Sequence, residues 1–146
     1  MDYMHLALEE ARMAAEEGEI PVGAVLVKDG EVIASAHNRR ERDHDPIAHA
    51  EMLCMREAAR KLGDWRLRGC TLYVTLEPCP MCAGAMVMSQ LGRCVYGAAD
   101  EKQGCCGSVY DLPGDPALAA STTWQSGVMA EECSDMMRGF FAGRRQ

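Results

Sequence analysis

Two short segments limit this chain more than anything else in it: His49-Ala50-Glu51, and Pro78-Cys79-Pro80-Met81-Cys82. Cys79 and Cys82 stand three positions apart, so on a helix they share one face. Pro78 marks the start of the helix that carries them. Asp45-Pro46 opens the helix that carries His49, with Asp45 as the expected N-cap and Pro46 at the first position. The apolar, β-branched stretch Thr71-Leu72-Tyr73-Val74-Thr75-Leu76 lies between the two helices and reads as a strand. A fold that uses both segments together must place two helix beginnings side by side at the end of a sheet. Helix N-termini stabilise negative charge and so favour the thiolate, the form in which cysteine binds metal.

The rest of the chain supplies such a sheet. Residues 2–17 read as an amphipathic helix, with Met4, Ala7, Leu8, Ala11, Ala14 and Ala15 on one face and Gly18 closing it. Residues 22–27 and 31–36 are apolar runs joined by Lys28-Asp29-Gly30, the turn signal of a hairpin. A polar loop over 37–47 follows. The His49 helix runs to Leu62, where Gly63 stops it, and the Cys79 helix runs to about Ser89. Residues 93–97 form a further strand, 98–120 are rich in glycine and proline, 122–125 form a short fifth strand, and 128–143 form a last helix. This order predicts an α/β fold in a single domain over residues 1–146: a three-layer α/β/α sandwich around a mixed sheet of about five strands. Sites in such sheets collect where strands end and helices begin.

Composition narrows the class. A chain of 146 residues, 48% apolar and 25% charged, has the length and make-up of one globular domain. It contains no apolar run long enough for a membrane span. Its first residues show no basic stretch followed by an apolar one, so a cytoplasmic address is expected. In that setting the eight cysteines are thiols or metal ligands rather than disulfides. A net charge of −7 argues against a broad non-specific nucleic-acid surface. It leaves room for local basic clusters, and Arg39, Arg40 and Arg42 form one while Arg144 and Arg145 form another.

One histidine and two cysteines make three metal ligands. Structural zinc sites are normally closed by four protein ligands, whereas catalytic sites keep one position open. A C-x-x-C alone also suits a redox dithiol or half of a structural zinc site, and Cys54 is near enough to His49 in sequence to be considered as a fourth ligand. Glu51, two residues past His49, is placed to act on whatever occupies the open position. A carboxylate there can take a proton from water and pass it to a leaving group, which is worth roughly 10²–10⁴ in rate. The order H-x-E…P-C-x-x-C is the signature of zinc nucleobase deaminases.

A wider set of motifs joins these. Pro21-Val22-Gly23-Ala24-Val25, His37-Asn38-Arg39, Asp45-Pro46-Ile47-Ala48-His49-Ala50-Glu51 and Leu72-Tyr73-Val74-Thr75-Leu76-Glu77-Pro78-Cys79-Pro80-Met81-Cys82-Ala83-Gly84-Ala85 are the longest. Gly97-Ala98-Ala99-Asp100, Gly107-Ser108, Phe140-Phe141 and Arg144-Arg145 complete them. With these the chain, over nearly its whole length, resembles the bacterial tRNA-specific adenosine deaminases, members of the cytidine/deoxycytidylate deaminase-like zinc superfamily. The resemblance implies a cytidine deaminase-like fold, one Zn²⁺ per subunit and a homodimer. It implies conversion of adenosine to inosine at the wobble position of a tRNA anticodon stem-loop.

The resemblance also implies roles for four further residues. Asn38 hydrogen-bonds the base, since a carboxamide both donates and accepts. Asp100 lies against the sugar of a neighbouring nucleotide, where a carboxylate can read a 2′-hydroxyl. Arg144 and Arg145 approach RNA phosphates, and the loop arginines 39, 40 and 42 are second candidates. Purely structural roles stand beside these: a turn bond for Asn38, a helix cap for Asp100, a solvated tail for the arginines. His44, in the same loop, is expected to meet substrate or solvent rather than metal. Two other functions remain open: a free-base or nucleoside deaminase for guanine or cytidine, and a non-catalytic zinc module that binds RNA and needs a fourth ligand. Cys105-Cys106 departs from the two small residues usual in the family and is expected to pack as small side chains. Cys54, Cys70, Cys94 and Cys133 are expected as buried thiols.

Overall fold

The computed structural model describes residues 2–144. Helix α1 (Tyr3–Glu16) is capped by Asp2, which accepts the backbone N–H of His5 at 3.2 Å. Strands β1 (Gly23–Lys28) and β2 (Glu31–His37) form an antiparallel hairpin. Asp29 and Gly30 at its tip have φ of 51° and 75°, the paired left-handed conformation that matches strand twist in a two-residue turn. Strand β3 (Cys70–Leu76) pairs with β1 antiparallel and with β4 (Arg93–Ala98) in parallel, and β5 (Thr123–Gln125) continues the parallel side. The sheet order is β2-β1-β3-β4-β5, mixed and five-stranded as the sequence pattern predicts.

Alternation along the strands divides the core in two. On one face Val25 and Val95 pack with Met4, Ala7 and Leu8 of α1 and with Cys133 of α5 (Ala130–Arg144). On the other, Ala24, Leu26, Leu72 and Val74 pack against α3 (Ala50–Leu62) and α4 (Pro80–Met88). The result is the expected three-layer sandwich. Gly23 sets how closely the first layer sits: a Cβ there would lie 2.1 Å from the carbonyl oxygen of Ala7. All eight cysteines are free, and all but Cys79 are buried.

Three boundaries differ from the sequence reading, each for a local reason. The His49 helix does not begin at Pro46. Asp45 instead accepts the N–H of Ile47 through its side chain (2.9 Å) and that of Ala48 through its carbonyl (3.2 Å). This self-contained turn leaves His49 as the N-cap of α3. The other helix starts at Pro80 rather than Pro78, with Cys79 as its N-cap and the proline at its first position, where a missing N–H costs nothing. The polar loop contains a one-turn helix, α2 (Arg40–Asp43), which the sequence pattern did not reveal. Buried Glu19 holds it by accepting the N–H groups of Glu41 (3.2 Å) and Arg42 (2.6 Å).

Candidate metal centre

The two revised helix starts bring the chemistry together. His49 and Cys79 are the N-caps of α3 and α4, and Glu51 and Cys82 lie within the first turns. Both helices therefore direct their positive ends at one point. Nδ1 of His49 lies 3.5 Å from Sγ of Cys79 and 3.4 Å from Sγ of Cys82. A tetrahedral ion with bonds of roughly 2.3 Å to sulfur and 2.0–2.1 Å to nitrogen has an N···S edge of about 3.5 Å. The three atoms are thus already spaced as ligands of one zinc ion. Among the described residues no fourth His, Cys, Asp or Glu joins them. Cys54 is turned elsewhere, donating to the carbonyl of Ala34 at 3.5 Å in the core. His44 is exposed, in keeping with its expected distance from the metal.

The electrostatics fit a cation. The hydrogen bond with Cys82 and then that with His49 bring the Cys79 thiol down to about 4. Cys82 is pushed up because it donates to Cys79 and is buried. His49 is raised, chiefly by its bond to Cys79. The low Cys79 and raised His49 place a thiolate beside an imidazole that holds its proton more tightly than usual, and a divalent ion bound here would displace protons from the donors and favour both thiolates. Glu51 is 4% exposed, and burial pushes its carboxyl up to about 7. A carboxyl at that value both gives and takes protons near neutral pH.

A pocket of about 170 Å³ opens over this cluster, lined by His49, Glu51, Cys79, Asn38, Asp100 and Phe141 among others. Two of the residues expected to bind substrate therefore share the cavity with the metal cluster. Asn38 is held at both ends of its carboxamide, donating to Ile20 O (3.3 Å) and accepting from Arg40 N–H (3.2 Å). Asp100 accepts the N–H groups of Lys102 and Gln103, which closes a turn; no helix begins there, so the expected helix cap is instead a turn bond made from the pocket wall. Among the loop arginines, Arg39 is engaged with Asp43 and Arg42 with Glu17, while Arg40 lines the pocket. Arg144 closes α5; its side chain, and Arg145 altogether, lie outside the described residues.

Two acidic residues escaped the sequence reading, Glu19 and Glu77. Glu77 is 2% exposed and sits between the end of β3 and Pro78. Its one sequence signal is an acidic side chain directly after an apolar strand, a position where burial is otherwise the rule.

The family model described as the cytidine and deoxycytidylate deaminase zinc-binding region matches residues 1–98. A tRNA-specific adenosine deaminase of Bacillus subtilis is 52% identical over 99% of this chain and 89% of its own length. One of Aquifex aeolicus is 45% identical over 95% of this chain and 91% of its own. A solved structure from work on A-to-I editing by tRNA:A34 deaminases at the wobble position of transfer RNA superimposes with a TM-score of 0.88 and 44% identity. It covers 92% of this chain and 97% of that one.

Proposed function

From its membership of the cytidine and deoxycytidylate deaminase zinc-binding family, on the branch of the tRNA-specific adenosine deaminases, we propose that this chain deaminates the wobble adenosine of a tRNA anticodon loop to inosine. Water adds at C6 of the purine, the bond to the exocyclic nitrogen breaks, and ammonia leaves. The observation that carries the chemistry is the His49–Cys79–Cys82 cluster with Glu51 in the same pocket. These three side chains hold one Zn²⁺ per subunit. Bound there, the ion supplies the Lewis acidity that makes water a nucleophile near neutral pH. Glu51 takes the proton from the attacking water and delivers it to the departing amine.

Asn38 orients the base, its fixed carboxamide keeping one N–H and one lone pair for the purine edge. Asp100 lies against a neighbouring ribose, and Arg144 and Arg145 meet phosphates. The small pocket requires the base to be splayed out of its strand, which an anticodon loop permits at little cost. A cytoplasmic location follows from such a substrate, and no helix among the described residues is long and apolar enough to cross a membrane. A homodimer is supported by the exposed Trp65 (58%) and Met88 (75%) beside an apolar groove between α3 and α4.

Purified protein incubated separately with an anticodon stem-loop, guanine and cytidine tests the substrate. Inosine in the stem-loop alone is expected; turnover of a free base or nucleoside without action on RNA contradicts it. Asn38→Ala is expected to lower kcat/KM on the stem-loop by about 10- to 100-fold with zinc content unchanged, the loss expected for one or two hydrogen bonds to a bound base. Steady-state kinetics with metal analysis of the same sample checks this.

A further inference from the structure

Glu77 is a buried carboxyl that makes no ion pair with a Lys, Arg or His among the described residues. Four donors compensate it, and all come from one loop. Oε1 accepts the N–H of Asp100 at 3.0 Å and the hydroxyl of Ser108. Oε2 accepts the N–H groups of Cys106 and Ser108, each at 3.0 Å. Such charge-assisted bonds are strong, and leaving them unmade in a buried place is costly. The loop winds closely round the carboxyl: a Cβ at Gly104 would fall 2.4 Å from Oε1 and 2.5 Å from the carbonyl of Asp100. The backbone completes the attachment, since Cys105 N–H donates to Pro78 O (2.9 Å) and Glu77 N–H to Ala98 O (2.9 Å). One side of this clamp is the segment that delivers Cys79, and the other carries Asp100 and Gln103 in the pocket wall.

We propose that Glu77 is a positioning residue for RNA: its buried carboxylate fixes the loop over residues 100–108 to the segment before Cys79, and so sets the pocket wall that receives the substrate. Glu77 itself borders the pocket, but both its carboxyl oxygens are taken up by loop donors, so it acts through Asp100 and Gln103. Three of the four donors are backbone N–H groups, Asp100 on one carboxyl oxygen and Cys106 and Ser108 on the other, and only the Ser108 hydroxyl can turn to accept, so an amide NH₂ at this position leaves at least one loop N–H without its acceptor in either orientation. Glu77→Gln therefore breaks the clamp with almost no change of volume. The inference rests on the tRNA reading above, and the experiment separates the two.

Wild type, Glu77→Gln and Ser108→Ala are compared on an anticodon stem-loop. Zinc content and amide hydrogen exchange at Asp100, Cys106 and Ser108 are measured on the same samples. In Glu77→Gln the three amides exchange faster, zinc stays bound, and KM rises about tenfold, by more than kcat per bound zinc falls. Ser108→Ala, which removes one donor side chain, raises KM by a smaller factor. A loss of stability alone would reduce the active fraction and leave KM unmoved. Unchanged KM in a Glu77→Gln protein whose loop amides exchange faster overturns the proposal. So does loss of zinc in step with activity. If Glu77→Gln fails to fold, an unchanged KM in Ser108→Ala overturns it. Wild type inactive on the stem-loop overturns the tRNA reading, and this inference with it.

Discussion

Glu51→Gln is expected to lower kcat by about 10²- to 10⁴-fold while the protein keeps its zinc, the full range attributed to a lost general acid–base. The amide matches the carboxyl in size and leaves His49, Cys79 and Cys82 untouched, but it cannot carry a proton from water to the leaving amine. Rapid-quench turnover with zinc quantified in the same sample checks this. Near-normal turnover contradicts the assignment. Stability should move the other way. Burial raises the folded carboxyl of Glu51 to about 7 against an ordinary value of 4.5. Its neutral form is therefore the stabilising one, fully so below about 4.5 and lost as pH rises through about 7. In metal-free protein, wild type should lose stability relative to Glu51→Gln across that window, as paired urea titrations would record.

The second large effect is expected at Cys82. Its sulfur is buried and 3.4 Å from His49 Nδ1, and it is one of the three side chains proposed to hold the ion. Cys82→Ala should lose zinc and turnover together. Binding stabilises a native state by about 4 kcal/mol when free ligand is a thousand times Kd, and a domain of this size loses roughly 2–4 °C per kcal/mol. The melting temperature should therefore fall by about 10 °C. A chelator should bring wild type down to nearly the same temperature and leave the variant where it is. Full zinc content in Cys82→Ala would remove it from the ligand set.

Much of this was legible in the residues. The five strands, their covering helices and the hairpin turn follow from periodicities of 2 and 3.6 and from Asp29-Gly30. The spacing of Cys79 and Cys82 and the pairing of His49 with Glu51 foretold which side chains meet. Less legible was where the helices start, because Asp45 and Pro78 are good start signals whose bonds are spent otherwise. Asp45 closes a turn on Ile47 and Ala48, and the carbonyl of Pro78 receives Cys105. The correction matters chemically, since it turns His49 and Cys79 into caps. Glu19 and Glu77 stayed hidden because all their partners but the Ser108 hydroxyl are backbone N–H groups, more than twenty residues away, which leave no trace in residue type. Asn38 and Asp100 each make a local turn bond and also line the pocket.

The most direct test of the central claim is X-ray absorption at the zinc edge of the purified protein. Two sulfurs at about 2.3 Å with one imidazole nitrogen and one further light atom at about 2.0–2.1 Å is the predicted shell. A shell with three or four sulfurs, or one closed by a second imidazole, would mean that no place is left for water beside Glu51, and would contradict the account.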